Sequence, residues 1–416
     1  MDNTHCVVDL TLLTLPAGFT DSHAKHNEPE LCRKRGPSWV FDQPSSSWDF
    51  CSLGLHITSP ELSDAFKSMP ANLYEKQLDL NSIQELPDSH AWASLGEHPC
   101  VDSLIAESVP VIDLSDPNAL TLVGDACKSW GVFQVINHGI PISILEAIED
   151  ASRNLFALPA EQKLKATRPP DGFSGFGQPR IAPFFAKQMW YEGFTVLGSP
   201  LELVSKLWPE EYCTKFCEVT EEYDKQMKQL ANKLLWLLLG SLGINKEDVE
   251  WAGPEGQLEG AHAALQLNSY PACPQPDKAM GLAEHTDSSL LTILYQGSTS
   301  GLQVVLEGSG WITVPPLPGA LVVNIGDLLH ILSNAAFPSV LHRAMVNNSK
   351  QRISVAYFYG PPATIPVAPI PKLVDSSHPP VYRSVTWSEF LATKAKHFNK
   401  ALSLVRMPVP ETDSSE

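Results

Sequence analysis

The chain has 416 residues, 43 % of them hydrophobic and 18 % charged, which places it among core-forming globular proteins and excludes a disordered one. Lys and Arg number 29 against 47 Asp and Glu; this formal charge of −18 argues against a nucleic-acid backbone or an anionic membrane as main partner, since both want clustered cations. The longest apolar run, 234–244, holds two glycines and a serine and falls short of the roughly 20 residues that span a bilayer, while eight cysteines without a Cys-x-x-Cys pair read as reduced thiols in a cytoplasmic or nuclear protein.

Residues 1–57 are rich in Ser, Pro, Asp and His and carry no sustained period, so a poorly ordered extension is expected there. The first cation is Lys25, with Asp2 and Asp9 ahead of it, unlike a secretory signal or an Arg-rich transit peptide. Over 58–255 a mixed domain with helices is expected. Within it Val109 to Leu114 and Gly131 to Asn137 are strand-like. Ser143-Ile-Leu-Glu146 has the spacing of a capping box and opens a predicted helix with Ile144, Ile148, Leu155 and Phe156 on one face. A long helix is predicted over about 218–239, with Tyr223, Met227, Leu230, Leu234 and Leu238 on one stripe and Gly240 near its end.

From residue 263 short strand-like runs follow one another at 263–270, 290–295, 302–306, 311–314, 320–325, 340–346 and 352–358. Their close spacing predicts a sandwich, jelly roll or barrel. A β core is thus bounded at 256–365, followed by a helical segment at 366–408 and a tail at 409–416. The fold class is mainly β with flanking helices, preceded by a helical or mixed N-terminal domain.

His285-Thr-Asp287 is the first candidate site. On a strand, residues i and i+2 share a face, so an imidazole and a carboxylate can converge on one metal ion. His342 supplies the third donor. Two histidines and one carboxylate leave three open positions, the pattern that suits non-haem Fe(II) oxygen chemistry. With 13 histidines, roughly one or two His-x-Asp/Glu triplets arise from composition alone; the other one here is His26-Asn-Glu28. Arg352-Ile-Ser354 gives the triplet its weight. A guanidinium and a hydroxyl share a strand face, and a buried Arg needs an acidic partner. A bidentate carboxylate fits its fork best. An isolated Arg would instead take an internal salt bridge to Asp or Glu. Tyr270, in Asn268-Ser-Tyr270-Pro271, can bring a phenol to the same carboxylate or sit in the core at a strand end.

Together, His285-Thr-Asp287, His342, Arg352-x-Ser354 and Asn268-x-Tyr270-Pro resemble the plant 2-oxoglutarate- and Fe(II)-dependent dioxygenases. Pro110-Val-Ile-Asp-Leu114 and the run from Trp130 to Gly139 are similar to that family's N-terminal domain, and the runs from Trp311 and from Gly319 to Asp327 to its core strands. The resemblance covers about residues 60–408; residues 1–57 have no counterpart in it. Stretches 82–92, 102–110, 189–195 and 387–399, none with an evident chemical role, are most similar to the family's gibberellin 3β-dioxygenase branch.

The resemblance implies a double-stranded β-helix (jelly-roll) core. His285, Asp287 and His342 are implied as ligands of Fe(II), and Arg352, Ser354 and Tyr270 as the clamp on the distal carboxylate of 2-oxoglutarate. Dioxygen is the second co-substrate and ascorbate the reductant. A small-molecule gibberellin is the implied substrate, hydroxylated as 2-oxoglutarate decarboxylates to succinate, by a monomer without nucleic-acid or membrane partners. A rigid, largely apolar tetracycle with one carboxylate needs apolar walls and a cation or hydroxyl. Tyr191, Phe194 and the loop from Phe173 to Phe185 are the candidates for that wall, each equally suited to packing. A gibberellin 2-oxidase, a 20-oxidase, a flavonoid oxygenase and a non-catalytic hormone binder on the same fold are the competing readings.

Overall fold

The structure, a computed structural model, describes residues 78–93, 95, 108–170, 172–253, 258, 260–306 and 310–408. The extension expected at 1–57 and the tail expected at 409–416 lie outside the described residues.

The N-terminal part opens with β1 (Val111–Asp113), α1 (Ala119–Trp130) and β2 (Val132–Ile136), with β1 and β2 parallel. Helix α2 (Ile142–Phe156) buries Leu145, Ile148, Leu155 and Phe156, while Ile144 is only partly buried. The expected capping box at Ser143 does not form. The helix starts one residue earlier, capped by Pro141 without a side-chain bond, so Ser143 already lies in its first turn. Two short helices, α3 (Ala160–Leu164) and α4 (Leu201–Val204), bracket β3 (Gly175–Gly177) and β4 (Glu192–Val196). Helix α5 (Glu210–Ser241) begins well before the predicted 218, directly after Pro209, with Glu210 and Glu211 in its first turn where the helix dipole favours anions. It buries the whole predicted stripe from Tyr223 to Leu238. Among the described residues no helix is long and apolar enough to cross a membrane.

Eight strands then build the core: β5 (His262–Tyr270), β6 (Met280–His285), β7 (Leu291–Tyr295), β8 (Leu302–Leu306), β9 (Gly310–Thr313), β10 (Leu321–Ile325), β11 (His342–Met345) and β12 (Arg352–Gly360). They form two antiparallel layers, β10-β7-β12-β5 and β6-β11-β8-β9, the arrangement of a double-stranded β-helix. The sequence division expected at 255 is no break in the sheet. Strands β1 and β2 extend the first layer beyond β10, and β4 and β3 extend it beyond β5. Helix α6 (Asp327–Leu332) is inserted within the core between β10 and β11, and α7 (Trp387–His397) and α8 (Ala401–Leu404) follow it.

The pleat sorts the residues of the large sheet. On β12, Ile353, Val355, Tyr357 and Tyr359 join the hydrophobic cluster that also holds the buried stripes of α2 and α5. The alternate residues Arg352, Ser354, Ala356 and Phe358 line a cavity on the other face. Residues of the second layer, among them Leu282, His285, Leu302 and His342, line the same cavity, which therefore lies between the two layers.

Candidate active site

The cavity has a volume of about 270 Å³ and receives every candidate ligand and clamp residue. His342, the first residue of β11, is the cross-strand partner of His285, the last residue of β6. That register sets the two imidazoles 4.3 Å apart, centroid to centroid. Asp287 lies two residues beyond the end of β6, so a shared strand face does not bring it in, contrary to the expectation from i, i+2 spacing. The loop after β6 turns it back, and its Oδ1 stands 3.8 Å from His285 Nε2 and 3.7 Å from His342 Nε2.

These three residues fit a metal ion. Their donor atoms lie within 4.8 Å of one another, and the buried Oδ2 of Asp287 has no hydrogen-bond partner. Each imidazole has its Nδ1 on the carbonyl two residues back, Ala283 at 2.8 Å for His285 and Val340 at 3.2 Å for His342. A proton on Nδ1 donates to that carbonyl and leaves the Nε2 lone pairs facing Asp287. Burial, with His342 alongside, holds His285 below the usual histidine range, so it stays neutral and able to ligate.

Arg352 is 1 % exposed, and among the described residues no Asp or Glu pairs with it. The internal salt bridge open to it in the sequence is therefore not formed. Its Nε donates to the carbonyl of Thr299 at 3.1 Å and its Nη1 to Ser354 Oγ at 3.3 Å. Gly301 makes room for it: a Cβ there would meet Arg352 Cδ at 2.9 Å and the carbonyl of Met345 at 2.7 Å. Tyr270 sits directly opposite Arg352 in the β5–β12 ladder. Burial raises its phenol, and Arg352 with hydrogen bonds to Ser354 and Arg352 opposes that rise. A buried cation, a hydroxyl and a phenol at one spot, with no protein acid to neutralise them, make a receptor for a carboxylate.

A ladder of side chains leads away from this clamp. Asn268 Nδ2 donates to Ser354 Oγ at 3.4 Å, and Tyr191 OH to Asn268 Oδ1 at 2.9 Å. Gln266 Nε2 donates to Tyr191 OH at 2.9 Å, Thr195 Oγ1 to Gln266 Oε1 at 2.6 Å, and Arg168 Nη1 to Thr195 Oγ1 at 3.4 Å. Gly193 permits the Tyr191 step, because a Cβ there would stand 1.9 Å from the phenol oxygen. Gln266, Asn268 and Tyr270 alternate along β5, so Gln266 extends the Asn268-x-Tyr270 spacing by one further step of a period of two.

Of the wall candidates, Tyr191 faces the cavity and Phe194 does not. Phe194 is fully buried between Phe156 and Phe176, at 5.5 and 4.8 Å between ring centroids, on the opposite face of β4. From the 173–185 loop, Phe173, Ile181 and Phe184 reach the cavity, and Trp387, Leu391 and Phe398 close it from the α7 side. Arg168 and Arg180 bring positive charge to the same wall.

Residues 261–361 match the model of the 2OG-Fe(II) oxygenase superfamily, and residues 109–211 that of the non-haem dioxygenase in morphine synthesis N-terminal domain. A crystal structure of JOX2 in complex with 2OG, Fe and JA superposes with a TM-score of 0.68 at 30 % identity, covering 80 % of this chain and 99 % of that one. The crystal structure of the rice dioxygenase for auxin oxidation gives a TM-score of 0.60 at 25 % identity, over 72 % of this chain and all of the other. The chain is a 2-oxoglutarate- and Fe(II)-dependent oxygenase of jelly-roll architecture. Gibberellin 3-beta-dioxygenase 1 of Pisum sativum is 60 % identical over 356 residues, 84 % of this chain and 95 % of the pea protein. Gibberellin 3-beta-dioxygenase 2 of Arabidopsis thaliana is 53 % identical over 348 residues, 84 % of this chain and 99 % of that one. Within the superfamily the chain belongs to the gibberellin 3-beta-dioxygenase family.

Proposed function

We propose that this enzyme hydroxylates gibberellin precursors at carbon 3 on the β face, giving the bioactive hormones. The observation that carries the substrate is the 60 % identity with the Pisum sativum gibberellin 3-beta-dioxygenase 1, which spans nearly all of that protein. In this reading His285 Nε2, Asp287 Oδ1 and His342 Nε2 would hold Fe(II), a donor set suited to non-haem oxygen chemistry. Arg352, Ser354 and Tyr270 hold the distal carboxylate of 2-oxoglutarate. Bound iron and 2-oxoglutarate supply the oxidising chemistry, with succinate and CO₂ released as one oxygen atom enters the substrate, and ascorbate keeps the iron reduced. The chain's own work is to orient and to exclude water. The aromatic wall of Phe173, Phe184, Trp387 and Phe398 encloses an apolar ring system and fixes which of its hydrogens faces the metal. A hormone binder would need neither three convergent donors nor an unpaired buried guanidinium.

Mass spectrometry of products from a panel of gibberellins, incubated with Fe(II), 2-oxoglutarate and ascorbate, tests the reading. A 3β-hydroxylated product from a 19-carbon precursor is expected. A 2β-hydroxylated main product would reassign the regiochemistry to a sister oxidase, and succinate released only with a flavonoid would overturn the substrate class.

A further inference from the structure

Asp287 stands outside regular structure, between the end of β6 and the start of β7, so the ladder hydrogen bonds of the core do not set its direction. Its carboxylate is hydrogen-bonded to the Thr292 side chain, and two buried groups hold the backbone of its segment. Lys394, 8 % exposed on α7, directs Nζ to the carbonyl of Thr286 at 2.7 Å, to Thr286 Oγ1 at 2.8 Å and to Asp327 Oδ2 at 2.5 Å. Asp327, 1 % exposed at the start of α6, donates its backbone N–H to the carbonyl of Asp287 at 2.8 Å and accepts from Thr286 Oγ1 at 3.2 Å. All three ammonium protons of Lys394 are thus used, and the carbonyls of Thr286 and of the metal donor Asp287 itself are pinned.

Stability is a poor reason for this arrangement, because a buried ion pair is often no better than a well-packed apolar pair of the same volume. The rest of the α7 face that reaches the cavity is apolar: Trp387, Leu391 and Ala395, with Phe398 just beyond the helix. A lysine in that stripe stands out, and it lies in the Phe-Leu-Ala-Thr-Lys-Ala-Lys-His-Phe stretch that has no chemical role in the sequence. We propose that Lys394 is a positioning residue for the metal centre. Through Thr286 and Asp327 it fixes the direction in which Asp287 presents its carboxylate, and it makes the α7 wall of the cavity one rigid unit with the metal-binding loop. The inference rests on the reading of His285, Asp287 and His342 as metal ligands and is independent of the substrate.

The test titrates the full-length chain with Co(II), followed by its visible absorption band and by calorimetry. Lys394→Met leaves Asp327 uncompensated and can unfold the chain, so it is paired with Lys394→Met/Asp327→Asn, which removes both charges, and with Lys394→Arg; melting curves establish which are folded. Second-sphere changes of this kind weaken metal sites by about 10- to 100-fold. The folded double variant should lose Co(II) affinity within that range and show an altered band, and Lys394→Arg should recover most of the affinity. A folded double variant with the parent's affinity and band would overturn the proposal. A parent that takes up no Co(II), or takes it up equally well as Asp287→Ala, would overturn the ligand reading and this inference with it.

Discussion

Arg352 and Tyr270 are cross-strand partners, and the guanidinium carbon lies 5.2 Å from the centre of the phenol ring. Thr299 and Ser354 take two of the donors of the Arg352 fork. What the protein leaves open is the charge. An Arg this deeply buried without an acid is costly, and an anionic ligand is the partner the proposed function supplies.

Replacing Arg352 with Lys keeps the charge and loses the planar fork. The expected loss is about 1.5–3 kcal/mol, the scale of a charge-assisted hydrogen bond, seen as a higher KM for 2-oxoglutarate with that for gibberellin little changed. The opposite pattern would make Arg352 a substrate residue.

Gly301→Ala tests the same clamp from outside it. The added methyl must displace Arg352 or the strand carrying Met345, and overpacking of this kind costs about 1–3 kcal/mol. A raised KM for 2-oxoglutarate together with a lower melting temperature is expected; an unchanged KM would mean that the guanidinium has room to spare.

Much of this site is legible in the sequence because strand geometry converts spacing into direction. Arg352 and Ser354 share a face since they lie on β12, and His342 meets His285 by register. Strand β6 escapes notice because Gly281, Ala283 and Glu284 dilute its β character. The side on which Phe194 lies is not legible for a different reason: β4 is buried on both faces, so no polar alternation marks which side meets the cavity. Lys394 reaches the metal loop from a helix more than a hundred positions away, a proximity no local pattern encodes.

Asp287→Ala should abolish iron binding, read by metal analysis, and with it succinate release. The two core layers supply the stability, so the melting temperature of the metal-free protein should change little, unlike a zinc finger. His26→Ala, in the other triplet, should alter neither. Normal iron content in Asp287→Ala would sink the triad.

Acid should destabilise the fold through His90. It is 1 % exposed, and burial lowers its pKa to about 4. The unfolded chain therefore binds this proton more readily than the folded one. The stabilising contribution is complete above the ordinary histidine value of about 6.5 and drains as pH falls toward about 4, by roughly 3 kcal/mol. Denaturant melts between pH 7 and 4 should show the loss, and His90→Gln should make it shallower, with His285 and His330 contributing the remainder; equal slopes in the two proteins would remove His90 from the account.

The ladder from Ser354 to Arg168 gives the cavity two cationic ends. One, Arg352, is taken by the co-substrate in the proposed function. Arg168 is held at the other by the carbonyl of Gln178 at 2.6 Å and by Thr195, and it lines the same cavity. A gibberellin brings a rigid apolar body and one carboxylate, so a single fixed cation beside aromatic walls suffices to orient it, and orientation decides which ring hydrogen is presented to the metal. Arg168→Gln should therefore raise KM for gibberellin about tenfold or more, the equivalent of one charge-assisted hydrogen bond, and leave KM for 2-oxoglutarate unchanged. Loss of orientation should also spread the products over neighbouring ring positions in mass spectra. Phe194→Leu is the control: its ring packs in the core, so it should lower the melting temperature and leave both KM values alone. A rise in KM for 2-oxoglutarate alone in Arg168→Gln would mean that the ladder serves the co-substrate along its whole length, and the substrate carboxylate would have to be sought at Arg180, stacked 4.6 Å from the centre of the Phe173 ring.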